Sequence, residues 1–204
     1  MIRLFLLLIS LSILLFASSI GHVTGVHGNA WISRGDHNLT LSSEASLQEH
    51  DQIVTAEDAW VKITLNDQTH ITIGQKAKLT IDSYQFNHTA DSHASFTLGK
   101  GIFQAVSGAI GKVARKNFHV QTPTATIGIR GTEFYVDARS EEEHYLCTRG
   151  VIVVKSNFGT RGPAKELVVP AGEQAMSAYL SGKPVAQPAD AHLLNDLQNA
   201  LGLH

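Results

Sequence analysis

The 204-residue sequence predicts an all-β protein, with many short strands in a solenoid-like or rolled β architecture and a short C-terminal helix. Three observations predict it. From about Asn29 to Ala178 apolar and polar residues alternate in short runs, Gly, Asn, Asp and Pro interrupt those runs every ~8–10 residues, and helical spacing appears only beyond Asp190.

The alternation is clearest between Trp60 and Ser83. Val61, Ile63 and Leu65 alternate with Lys62 and Thr64, Ile71 and Ile73 with His70 and Thr72, and Leu79 and Ile81 with Lys78 and Thr80. Each run therefore presents one apolar and one polar face. Asn66-Asp67-Gln68-Thr69 and Gly74-Gln75-Lys76 are the turn-forming breaks between them. Further strands are expected at 95–98, 102–106, 118–121, 125–129, 134–138, 144–147, 151–155, 167–169 and 174–177. Short turns and the lack of a long crossover favour a solenoid-like or rolled sheet, although no strict repeat recurs. The polar stretch 87–93 reads as an exposed loop. Gly108-Ala109-Ile110-Gly111-Lys112 lacks the glycine spacing and the Ser or Thr of a phosphate loop and reads as a mobile turn. In the tail, Leu193, Leu194, Leu197, Ala200 and Leu201 share a helical face and Asp190 is placed to cap the first turn. That helix is expected to pack as a lid on the end of the β body, with partner docking as the alternative.

At the N-terminus Arg3 precedes an apolar run from Leu4 to Phe16 broken only by Ser10 and Ser12, shorter than the ~20 residues a spanning helix needs. Ala17 and Ser19 supply a small-x-small pair, so a signal peptide cleaved after Ser19 is expected. An uncleaved anchor is the alternative, and it alone brings membrane association. The expected organisation is a signal peptide at 1–19, a β domain at 20–180, and a linker with the amphipathic helix at 181–204, in the periplasm or at the cell surface. Sixteen Lys and Arg against eighteen Asp and Glu give a formal net charge of -2, which leaves no global basic field for nucleic acid. Cys147, the only cysteine, has no internal partner and reads as a small buried side chain.

The densest stretch runs from Val120 to Val136. Thr122 precedes Pro123 and is held extended. Ala125, Ile127 and Ile129 share one parity whereas Phe134 and Val136 share the other, so the strand bulges or turns near Arg130-Gly131, where glycine tolerates the backbone angles required. Arg130, between Ile129 and Gly131, is expected to be partly buried and to pair with Glu133 across the turn; a ligand-binding Arg130 is the competing reading.

Thr122, Pro123, the small apolar alternation and then Arg130, Gly131, Thr132, Glu133 and Phe134 resemble the central motif of the FecR domain family. The similarity extends upstream to 51–55, 59–65 and 98–103, and downstream to 149–153 and 169–173. The resemblance implies an extracytoplasmic domain with a binding role, those seven residues forming a structural motif. Asn66-Asp67-Gln68-Thr69 departs from the family's Asp-Gly-Ser type of hairpin turn. The best-known members also carry a cytoplasmic segment that controls a sigma factor, whereas only about three residues precede the apolar run here, so the resemblance does not extend to sigma-factor control.

Eleven histidines are scattered without a converging ligand set, so neither a metal nor a cofactor is expected. Ser107 lacks a Gly-x-Ser-x-Gly context, and Glu141-Glu142-Glu143 reads as an exposed charged turn, so no enzyme is expected. Lys112, Arg115 and Lys116 form a small basic cluster suited to an acidic partner or anionic glycan unless merely solvated. The expected function is a binding module, a sensor or adaptor in envelope signalling. Its partner would be a protein or envelope component meeting a strand edge or loop 87–93. The alternative is a structural envelope or matrix component that self-associates through strand edges.

Overall fold

A computed structural model describes residues 18–157, 166–177 and 186–203. The N-terminal apolar run with Ala17, the linker from Ser181 to Pro184 and the 180/181 boundary lie outside the described residues. Among the described residues no helix is long and apolar enough to cross a membrane.

The strands are β1 Gly21–His27, β2 Ala30–Arg34, β3 His37–Thr40, β4 Ser46–Leu47, β5 Gln52–Thr55, β6 Trp60–Leu65, β7 His70–Ile73, β8 Lys78–Gln85, β9 His93–Val106, β10 Phe118–Gln121, β11 Ala125–Ala138, β12 His144–Ser156, β13 Glu166–Pro170, β14 Glu173–Met176 and β15 Gln187–Pro188. They hydrogen-bond into one rolled sheet. Helix α1 (Ile110–Val113), a 3-10 turn (Arg115–Asn117) and helix α2 (Ala191–Ala200) complete the described elements. The all-β class with a short C-terminal helix is thus the one observed. Stacked rungs would pair in parallel, but among the described strands pairing is antiparallel except between β9 and β10, which identifies the rolled form.

Three long strands, β9, β11 and β12, run through both halves of the roll. One half follows the order β3-β2-β5-β8-β9-β10-β11-β12-β13, and the other β4-β1-β6-β7-β9-β11-β12-β14-β15. Each long strand must therefore change which parity it turns inward. In β11, Ala125, Ile127 and Ile129 are buried before the bulge and Phe134, Val136 and Ala138 after it. Gly131 supplies the left-handed backbone there, with φ of 58°. β12 switches in step, from Tyr145 and Cys147 to Ile152 and Val154. A Cβ on its Gly150 would lie 2.3 Å from the Gly131 carbonyl oxygen, so the two glycines allow the paired bends to meet. One core results, joining Ile53, Phe96, Phe118 and Ile127 of one half to Val23, Ile63, Phe103 and Phe134 of the other. Full burial of such side chains stabilises by about 1.5–3 kcal/mol each. Cys147 lies in this core as expected.

Strand pairing begins earlier than the expected start near Asn29. β1 opens directly after Ile20, and a bulge between Val23 and Gly25 breaks the alternation that would have marked it.

α2 is capped as its sequence predicts, Asp190 Oδ1 accepting from the His192 amide at 2.8 Å. Its Leu197, and Leu201 just past its end, are buried against Ile102, Tyr135 and Leu146. Those three face away from the main core, so the helix is a lid on the outer face of the sheet rather than on its end. Lys62 Nζ donates to the Gly202 carbonyl at 3.2 Å and sits 4.7 Å over the Trp60 ring, tying the tail to β6.

Candidate functional site

The motif from Thr122 to Phe134 is built on a buried carboxylate that lies outside it. Glu143 is 2 % exposed, and its Oε2 accepts from three hydroxyls: Thr122, Thr124 at 2.6 Å and Tyr145 at 2.6 Å. The Thr122 Oγ1 also accepts from the Ala125 amide at 3.0 Å, closing the turn around exposed Pro123. Burial, reinforced by the Glu143 carboxylate, pushes the Tyr145 phenol well above its ordinary range. Glu141 and Glu142 are exposed as expected, but Glu143 is not part of a solvated turn. Its sequence signal is parity: it shares the inward register of Tyr145 and Cys147, and a carboxylate there needs donors.

The remaining motif residues divide between core and surface. Phe134 is fully buried against Phe103. Thr132 is fully buried too, its amide donating to Ser107 Oγ at 2.9 Å and its carbonyl accepting from the Ser107 amide at 2.9 Å. Glu133 accepts from Gln104 Nε2 at 3.1 Å, not from Arg130. Arg130 is exposed and joins no ion pair among the described residues, which corrects the expected buried Arg130–Glu133 pair. The reason is the strand period: Ile129 turns inward, so its neighbour Arg130 turns out, and apolar sequence neighbours cover nothing on that face.

The loop before β10 is also more fixed than its glycines suggest. Asp67, 1 % exposed, accepts at Oδ2 from the Ile110 amide at 3.0 Å and Thr69 Oγ1 at 2.8 Å. Its Oδ1 accepts from the Thr69 amide at 3.1 Å and Tyr84 Oη at 3.2 Å. The Asp67 carbonyl holds the Ala109 amide at 2.8 Å. The stretch read as a mobile turn therefore contains α1, with Ile110 fully buried and its N-terminus anchored by a carboxylate. Burial beside Asp67 raises the Tyr84 phenol strongly.

From α1 the chain enters the 3-10 turn, whose Asn117 Nδ2 donates to the carbonyls of Ala90 at 2.9 Å and Ser92 at 3.1 Å. Loop 87–93 is thereby tied to the turn. It is exposed from Asn87 to Asp91 as expected, and internally braced by Asn87 Oδ1, which accepts from Thr89 Oγ1 and Ser92 Oγ at 2.7 Å each. Between the 3-10 turn and the outer faces of β10, β11 and β12 lies an open cleft of about 670 Å3, lined by Arg115, Lys116, His119 and Arg130 around Val113, Gly128 and Val153. Among the described residues no Asp or Glu lines it. Two of the three residues of the expected basic cluster, Arg115 and Lys116, thus meet Arg130 of the motif; Lys112 does not line the cleft. Among the described residues no three His, Cys, Asp or Glu side chains gather into a metal-binding group.

Fold and cleft define a rolled all-β domain that carries a cationic depression beside its central motif. The chain belongs to the FecR family: the family model described as FecR protein matches residues 51–153, which include every motif residue from Thr122 to Phe134 and also Asp67 and Glu143. Two crystal structures of a protein from Parabacteroides distasonis ATCC 8503, described as a "putative anti-sigma factor", share the fold with a TM-score of 0.52 each, at 16% and 17% identity. The match covers 71% of this chain and 62% of theirs. No curated protein sequence matches the chain.

Proposed function

We propose that this chain is an exported, non-enzymatic binding module that acts as a sensor or adaptor in envelope signalling, located in the periplasm or at the cell surface. Membership of the FecR family supports the signalling role, and so does the anti-sigma description of the protein from Parabacteroides distasonis. The observation that carries a binding role is the cleft: three cations without ion-pair partners among the described residues surround an apolar floor next to the motif. Such a surface recognises a partner of complementary charge.

Crosslinking in the intact envelope, followed by identification of the bound species and intact-mass measurement of the exported chain, tests this reading. A mass beginning at Ile20 and a protein partner are expected. Retention in the cytoplasm overturns the location. Turnover of a glycan or peptide that one substitution abolishes without changing the melting curve overturns the non-enzyme assignment.

A second reading, self-association through strand edges, is favoured by β3 and β13. Among the described residues each pairs with one neighbour only, and their Leu39 and Val168 are exposed. Sedimentation of the purified chain separates the two: an adaptor stays monomeric until its partner is added, whereas a scaffold component assembles alone.

A further inference from the structure

We infer that the cleft between the 3-10 turn and β10–β12 binds a segment of a partner protein in which carboxylates alternate with aliphatic side chains. The inference rests on the binding reading above and names the chemistry of the partner.

Charge is the first ground. Arg115, Lys116 and Arg130 line one cleft with no carboxylate among its described lining residues, in a chain of net charge -2. Arg34 and Arg139 are by contrast satisfied internally: Arg34 grips Asp51 at 2.6 and 2.7 Å, and Arg139 grips Asp137 at 2.8 and 2.6 Å, whereas exposed Arg149, outside the cleft, joins no ion pair among the described residues. Like charges gathered without counter-ions repel one another, and carboxylates of a ligand relieve that repulsion, the arginine forks donating to two carboxylate oxygens at a time.

The floor is the second ground. Gly128 stands in register with His119 on one side and Val153 on the other, and a Cβ placed on it meets nothing nearer than the Val153 carbonyl at 4.0 Å. The missing side chain leaves room for an aliphatic group of the ligand. Val113 is 47 % exposed at the cleft, and Val168, beside Val153 on the edge strand, is 57 % exposed, so an apolar strip continues from the cleft toward β13.

These features select among anionic ligands. Among the described residues no Trp, Tyr or Phe lines the cleft to stack a sugar ring. A nucleic acid needs a longer basic track than this cluster supplies. The backbone groups of β10, β11 and β12 at the cleft pair with neighbouring strands, so a bound segment is held through its side chains and not by strand addition.

The test uses the exported chain and a fluorescent peptide of sequence Asp-Leu-Glu-Val-Asp-Leu-Glu. Its twin, with Asn and Gln in place of the acids, and a carboxylated oligosaccharide serve as competitors. The acidic peptide is expected to bind at least about tenfold tighter than its amide twin and to weaken severalfold between about 50 and 300 mM salt. Arg130→Glu should weaken it about tenfold, since an attraction becomes a repulsion. Gly128→Val, which suits a strand and fills the floor, should weaken it severalfold while leaving the cations in place. Circular dichroism melts confirm that both variants are folded. Equal binding of the two peptides, tighter binding of the oligosaccharide, or unchanged binding by both folded variants overturns the inference. So does sedimentation showing that the chain dimerises and that Arg130→Glu abolishes the dimer, because the cleft then takes a second copy. Envelope crosslinks that persist in Arg130→Glu leave the binding module standing while removing this cleft as its site; loss of every crosslink in the wild-type chain removes the module itself.

Discussion

Asp67→Ala is the substitution whose cost is best defined by the structure. Four donors converge on the Asp67 carboxylate: the amides of Thr69 and Ile110, and the hydroxyls of Thr69 and Tyr84. The hydroxyls can rotate to other acceptors, whereas the amides are fixed by the turn and by α1 and are left unpaired in a buried site. Hydrogen bonds to a charged group contribute about 1.5–3 kcal/mol each, and an orphaned buried donor costs about 1–3 kcal/mol. Two amides set the floor of the effect and partial repair by the hydroxyls its ceiling, giving a loss of about 3–5 kcal/mol. For a domain of this size that corresponds to a fall in Tm of roughly 6–20 °C. Asp67→Asn keeps the shape and Oδ1 but turns an NH2 toward the Ile110 amide, so about 1–3 kcal/mol is expected, with the same ranking. Urea unfolding followed by circular dichroism measures both. An Asp67→Ala protein with wild-type midpoint and slope would refute the reasoning, because it would show that α1 is held by packing and that its carboxylate anchor contributes nothing.

Arg130→Ala should leave stability within about 0.5 kcal/mol of wild type, as for other exposed residues away from a network; a large drop in Tm would return Arg130 to a buried structural role. Cys147, fully buried and with its thiol pushed up by burial, should react with thiol reagents only after unfolding, so rapid labelling of the native chain would contradict its place in the core. Tyr84 and Tyr145 both have phenols raised by burial beside carboxylates. The folded state therefore keeps protons that the unfolded chain releases near pH ~10, so this stabilisation is complete below that pH and is lost as pH climbs toward the raised folded value. Each phenol contributes a slope of at most about 1.4 kcal/mol per pH unit, and urea midpoints between about pH 9 and 11.5 should fall less steeply in Tyr84→Phe and Tyr145→Phe; identical slopes would show that neither titration is linked to folding.

Much of the fold was legible because a strand's period survives wherever one face is buried. Phe118–Gln121 has the bounds its alternation suggests, and Trp60–Leu65 contains the alternation of Val61 to Leu65. The long strands look in sequence like pairs of short ones, 125–129 with 134–138 and 144–147 with 151–155, because a bulge reverses parity and resembles a turn. Each pair is one continuous strand serving two halves of the roll. Which strands are neighbours was not legible: β9 pairs with β7, β8, β10 and β11, and nothing local in 93–106 encodes four partners. Asp67 and Glu143 were hidden for a related reason. Each occupies a turn or its border, where charged residues are ordinarily solvated, and only the donors brought by distant segments reveal that they are buried.

The cleft marks the boundary between what counting can reach and what it cannot. Antiparallel pairing around the Thr122-Pro123-Thr124 turn sets His119 opposite Gly128, and the same parity sends Arg130 outward beside them. Those three positions follow from the sequence once 118–121 and 125–129 are taken as a hairpin. Ile129 and Gly131 suggest a buried Arg130, but the neighbours that decide burial in a strand lie two residues away along it and across the ladder. Arg115 and Lys116 do not follow in the same way. They reach the cleft because Asp67 anchors α1 from one side and Asn117 ties the 3-10 turn to loop 87–93 from the other, two contacts that span 43 and 27 residues of chain. A cationic site assembled by such anchors is coupled to the turns that hold it. Replacing loop 87–93 by a Gly-Ser turn would therefore remove the acceptors of Asn117 and displace Arg115 and Lys116, so loss of binding in that variant would implicate the cleft as readily as the loop.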